Sequence, residues 1–243
     1  PYYLTWSPDE SGMRYEERSN GLAANGLPPQ EPYYMHREVM TYDGFHHKPS
    51  HDGRNFIRYS SMDDGEGYGS PLERERTISL DVDKLSSFGI DPRVIIRFGT
   101  NVLSRNWRVS TDVRELTIAS QRSYGVIDID ERFPLEDLTE GSQSIHIAPL
   151  SNENEKHTVA RIELHYPRLY QFDGEDEITF YQQASIISRY IEIQGFGGTQ
   201  PIMYNLTNQT YLYPGLEDGL IKFITPGASY LHLEKSALHL KQM

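Results

Sequence analysis

The chain changes character near residue 72, and that change constrains its fold more than any other feature. Upstream, Gly26, Pro28, Pro29 and Pro32 and the tract Gly65-Glu66-Gly67-Tyr68-Gly69 interrupt every run of regular periodicity. Proline removes a backbone donor, and glycine loses the most conformational freedom on ordering. Downstream, short apolar runs alternate with polar residues and are separated by turns. Ile78, Leu80 and Val82 form one such run, and Ile178 with Phe180 another. The clearest places Ala160, Ile162, Leu164 and Tyr166 on one side against Arg161, Glu163 and His165 on the other, with Pro167 expected to close the ladder.

Helical spacing is confined to stretches near residues 83–88 and 182–189, too short to cover a sheet, which argues against a parallel α/β architecture. The pattern predicts an all-β fold. Residues 72–243 are expected to form a two-sheet antiparallel β-sandwich, jelly-roll-like in tolerating variable loops, and residues 1–71 a long irregular N-terminal arm. That arm is rich in aromatics, including Tyr2, Tyr3, Trp6, Tyr33, Tyr34 and Tyr42. Disordered chain is usually poor in them, so the arm is expected to lie along its own body or a neighbouring subunit.

Charge narrows the partners. Twenty-three Lys and Arg against 35 Asp and Glu give a net charge of -12, which opposes nucleic-acid binding because that binding rests on neutralising phosphates. No basic amphipathic face or long apolar stretch suggests membrane insertion. The chain has no cysteine, so disulfides, thiolate metal sites and cysteine nucleophiles are excluded. The triplets Asn205-Leu206-Thr207 and Asn208-Gln209-Thr210 match the glycosylation acceptor pattern and read equally as a polar turn.

Several side chains are candidates for chemistry. His46, His47 and His51 are close enough in sequence to be weak transition-metal ligands. The acidic groups Asp63, Asp64 and Glu66, then Asp128, Asp130 and Glu131, then Asp173, Glu175, Asp176 and Glu177 admit a structural calcium ion. No other cofactor is expected. With 17 tyrosines and two tryptophans, a ligand-binding surface is expected to use Trp107 beside Arg108, in what reads as a polar loop, together with Tyr204, Tyr211 and Tyr213. Such rings stack on sugars or fill a partner's pocket.

Arg58 in Phe56-Ile57-Arg58-Tyr59-Ser60, the Ser110-Thr111 pair, and Glu175-Asp176-Glu177 before Ile178-Thr179-Phe180 follow one another in an order that resembles mono-ADP-ribosyltransferases. That family carries Arg, Ser-Thr-Ser and Glu-x-Glu. The resemblance implies that Arg58 clamps a nicotinamide dinucleotide, that Ser110 supports the acidic strand, and that Glu177 stabilises an oxocarbenium-like transition state. Ser110-Thr111-Asp112 departs from the pattern at its third residue.

Three functional expectations follow. The first is a non-enzymatic structural or assembly subunit, exported or virion-type, that forms homo-oligomers by docking its arm on a neighbour. Removing residues 1–50 should then leave the body folded. The second is an extracellular carbohydrate- or ligand-binding module with a glycan partner, and the third is the transferase just described.

Overall fold

A computed structural model describes residues 15–22, 26–47, 67–100, 105–121, 126–151, 155–172, 177–182, 187–198, 200–225 and 229–234. The first strands are β1 (Glu16–Glu17), β2 (Tyr33–Thr41), β3 (Phe45–His46), β4 (Tyr68–Gly69), β5 (Arg76–Val82) and β6 (Arg93–Thr100). Next come β7 (Arg105–Thr111), β8 (Glu115–Gln121), β9 (Val126–Arg132), β10 (Gly141–Pro149), β11 (His157–Leu169) and β12 (Glu177–Gln182). The last are β13 (Arg189–Ile193), β14 (Ile202–Asn205), β15 (Thr210–Leu212), β16 (Gly215–Glu217), β17 (Leu220–Thr225) and β18 (Ser229–Glu234). Helix among the described residues is limited to a 3-10 turn, Leu135–Asp137. The chain is all-β, with mainly antiparallel pairing, and its described strands fall into five sheets.

Two compact units are formed, His36–Arg168 and Pro1–Met35 with Leu169–Met243. In the first, the sheets β5-β10-β7-β8 and β2-β11-β6-β9 share one apolar cluster. Ile78, Leu80, Val94, Ile96, Trp107, Ile145, Ile162 and Leu164 are almost wholly buried there. Period two produces this: β5 buries Ile78, Leu80 and Val82 while exposing Thr77, Ser79 and Asp81. In the second, β1-β15-β14-β18-β12 and β13-β17-β16 accompany a core rich in rings. Tyr34, Tyr170 and Phe180 pack within 5.4 Å of one another, centroid to centroid. Asp218 (φ 52°) and Gly219 (φ 75°) turn β16 into β17. Both central residues of a tight hairpin need positive φ, which an Asp-Gly pair supplies at low cost.

Two expectations are corrected. Tyr33–Thr41, within the segment read as irregular arm, is a nine-residue strand. Its alternation is concealed because its more buried positions, Tyr34, His36, Glu38 and Met40, mix polar with apolar side chains. The β11 ladder also continues through Pro167 to Leu169. Its pairing with β6 ends at His165, so no bond on that side is lost at the proline, whose carbonyl accepts from the Ser86 backbone N–H at 2.9 Å.

Candidate functional site

A cleft of about 330 Å³ opens in the unit formed by Pro1–Met35 and Leu169–Met243. Its position follows from a short hairpin. In β14 and β15, Met203 faces Leu212, Tyr204 faces Tyr211 and Asn205 faces Thr210. The Asn205 side-chain oxygen fixes the connecting turn by accepting from the Thr207 and Asn208 backbone N–H groups at 3.1 and 3.0 Å, an Asx-turn arrangement. Register therefore places the rings of Tyr204 and Tyr211 side by side, with centroids 6.4 Å apart. Tyr213 adds a perpendicular ring 5.7 Å from Tyr211, and Tyr15 an edge contact 5.4 Å from Tyr204. The two end rings, Tyr15 and Tyr213, are 40% and 41% exposed, so the row reaches solvent at both ends.

The arm supplies one wall. β1 pairs parallel with β15, and the Glu16 and Arg18 backbone N–H groups donate to the carbonyls of Gln209 and Tyr211 at 3.0 and 2.8 Å. Asn20 works like a short extra strand: its Nδ2 donates to the Lys222 carbonyl at 3.0 Å and its Oδ1 accepts from the Ile224 N–H at 3.3 Å. The Tyr211 hydroxyl donates to Glu17 Oε2 at 3.1 Å. That bond raises its pKa above the ordinary tyrosine value and keeps the proton on the phenol. Polar groups of Ser188, Asn205, Thr210 and Thr225 join the apolar surfaces of Met203, Leu212 and Phe223 around the cleft.

The structure thus brings together three of the five sequence-predicted binding residues, Tyr204, Tyr211 and Tyr213. The other two lie elsewhere. Trp107 is in β7, not a polar loop, and is 0% exposed. This corrects the expectation that its indole can stack on a ligand: Trp107 and Val109 point into the core, while the outward Asn106 and Arg108 gave the stretch its polar appearance. Arg108 is exposed and pairs with Glu115, Nε to Oε2, at 2.8 Å.

The remaining candidates do not form a site among the described residues. His46 is exposed and packs edge-on against Tyr68. His47 is buried, with Nε2 2.8 Å from the Ser70 carbonyl oxygen, and burial lowers its pKa. His51 and Arg58 lie outside the described residues, as do Asp63, Asp64, Glu66, Asp173, Glu175 and Asp176. Ser110 is half-buried in β7 of one unit, and Glu177 is exposed at the start of β12 in the other. Asp128 and Asp130 are engaged by Arg97 and Arg93. No group of three or more His, Asp or Glu among the described residues is arranged to hold a metal ion. Asn205, the first of the glycosylation-type asparagines, is 7% exposed.

Two polar clusters were not visible in the sequence, because both join strands distant along the chain. Glu163, 5% exposed, is held by Arg37 at 2.6 and 2.7 Å, by Arg161 at 2.5 Å and by His165 at 2.7 Å. Both of its carboxylate oxygens are therefore occupied by these partners. Asp83 accepts from the Tyr166 hydroxyl at 3.1 Å and from Arg168 at 2.7 Å, beside His36, whose ring lies 5.2 Å from that of Tyr166. Burial, reinforced by the Arg168 cation, lowers the His36 pKa to about 4. Burial, with Asp81 and Asp83 nearby, raises that of Glu38. These contacts satisfy the polar positions of β2.

No protein-family model and no curated protein matches the chain. Among solved structures it resembles dimeric latent PorU from Porphyromonas gingivalis, with a TM-score of 0.67 at 10% identity. The likeness covers 94% of this chain and 22% of that one, and is a likeness of fold. Thinner matches are the CBM36-1 domain of a multidomain xylanase from the hindgut metagenome of Trinervitermes trinervoides (TM-score 0.35, 5% identity, 53% of this chain and 96% of that one) and an uncultured Clostridium sp. beta-glucuronidase (TM-score 0.30, 12% identity, 88% and 45%).

Proposed function

We propose that this chain is an extracellular saccharide-binding β module, and that its site is the cleft lined by Tyr211 together with the adjoining tyrosine row. The observation that carries the reading is the convergence of Tyr15, Tyr204, Tyr211 and Tyr213, from three separate chain segments, beside a cleft with side-chain amides and hydroxyls. Sugar rings present an apolar face to an aromatic surface and hydroxyls to such polar groups. A volume of about 330 Å³ is at the small end for ligand sites, suited to one or two sugar units.

The arm's described residues favour this over assembly by arm exchange. Glu16 and Arg18 bond β15, and Glu31 donates to the Tyr190 carbonyl at 2.8 Å, so these segments are engaged by their own chain. The arm in this reading builds the binding site.

Retention on a glycan array, followed by calorimetry on the ligands found, tests the proposal. Tyr211→Ala and Tyr213→Ala should each weaken binding at least about tenfold, the worth of roughly one aromatic contact, with circular dichroism and oligomeric state unchanged. A wild-type chain that retains no glycan, or binding indifferent to both substitutions, would overturn it.

A further inference from the structure

We infer that the cleft selects an acidic saccharide, a sugar unit bearing a carboxylate of the uronate class, and that Arg18 is the residue that reads the charge. This rests on the saccharide-binding reading of the same cleft. The chain carries 35 acidic residues against 23 basic ones, yet among the described residues no Asp or Glu lines this cleft and Arg18 does. Among the described residues Arg18 forms no ion pair, and nearby Glu17 is engaged with the Tyr211 hydroxyl. In a protein of net charge -12, a site open to a neutral sugar needs no guanidinium. An anionic sugar does need one, because the surrounding field otherwise repels it.

The backbone that carries the arginine is also held in place before any ligand arrives. Its backbone N–H is fixed to the Tyr211 carbonyl at 2.8 Å, and two residues on Asn20 is clamped to both sides of Phe223 through Lys222 and Ile224. Ordering this segment therefore costs little on binding. A guanidinium offers two parallel N–H donors in the geometry of a carboxylate's two oxygens, so it distinguishes a uronate from its neutral parent sugar by charge and shape together. The tyrosine row supplies the stacking surface common to both, and Arg18 the discrimination.

Ligand-observed NMR on the full chain, with methyl glycosides of glucuronic, galacturonic and mannuronic acid beside those of glucose, galactose and mannose, tests this. At least one uronide should bind about tenfold more tightly than its neutral parent, and added salt should narrow the difference. Arg18→Gln should bring the pair to within about twofold by weakening the uronide alone, while Arg18→Lys keeps part of the preference. If the uronide has no advantage, or keeps it in Arg18→Gln, the inference fails. Neutral binding that is lost in Tyr211→Ala would then leave the saccharide site standing, whereas binding of none of the six glycosides would sink both.

Discussion

Trp107 sits between Phe98 and His157, with ring centroids 5.9 and 5.0 Å away, and none of its surface reaches solvent. Its substitution is therefore a stability experiment. Trp107→Ala removes the largest fully buried side chain of the core and leaves a cavity that a close-packed interior fills only in part. We expect a loss of about 3–5 kcal/mol, read as a lower urea midpoint. Saccharide binding measured on the folded fraction should be unchanged, since Trp107 is not among the cleft residues. A glycan-binding defect with an unaltered midpoint would contradict this assignment. The strand was faintly legible, since Trp107 and Val109 are two apolar residues at a spacing of two. Two such positions amid Asn106, Arg108 and Ser110 are too few to separate a strand from a loop, and polarity dominated the reading.

β2 shows the same difficulty at the scale of an element. A strand is legible when one face is uniformly apolar, as in β5 and the middle of β11. β2 instead carries His36 and Glu38 on its more buried side, where distant Asp83, Tyr166 and Arg168 make up their surroundings. Local sequence holds no trace of those partners. The candidate site divides similarly: β14 and β15 are each legible as strands, but the register joining Tyr204 to Tyr211 depends on the Asn205 turn, and β1, with two paired residues, has no periodicity to detect. The consequence for truncation is specific. Deleting residues 1–50 removes Tyr34 from one core, Met40 and Tyr42 from the packing of the other, and Arg37 from Glu163. Tyr34 alone is worth about 3–5 kcal/mol by analogy with other buried aromatics, against a typical total of about 5–15 kcal/mol. We therefore expect this truncation to abolish cooperative thermal unfolding, contrary to the reading of a dispensable arm. Deleting only residues 1–22 retains β2 and should preserve folding while removing the Arg18 wall and the ligand. A cooperative melt of the longer truncation close to wild type would refute the role given to β2.

For the whole molecule, stability should decline as the medium becomes mildly acidic, although the simplest charge argument predicts the reverse. At neutral pH the chain carries -12, and protonating its carboxylates relieves self-repulsion, which favours the compact state. Against this stand His36 and His157, each with a pKa lowered from 6.5 to about 4. Burial is the main cause in both. Arg168 adds to it at His36 and Arg76 at His157, while Asp83 acts in the opposite sense at His36, as do the backbone carbonyls of Arg74 and Glu73 at His157. Between about pH 6.5 and pH 4 the unfolded chain binds protons that the folded chain refuses, so each histidine lowers stability by up to about 1.4 kcal/mol per unit fall in pH, and no further below that window. Glu38 works the other way: its raised pKa makes the folded state the better proton acceptor just above 4.5, a contribution lost as pH rises through the shifted value. Salt decides which effect governs, because surface repulsion is screened over about 8 Å at physiological ionic strength while the buried rings are not. In such salt the urea midpoint should fall between about pH 7.5 and pH 5. His157→Phe, which keeps an aromatic ring against Trp107 and Phe98, should remove roughly half of that fall. A wild-type midpoint that rises on acidification would show that the repulsion among its carboxylates outweighs both buried imidazoles.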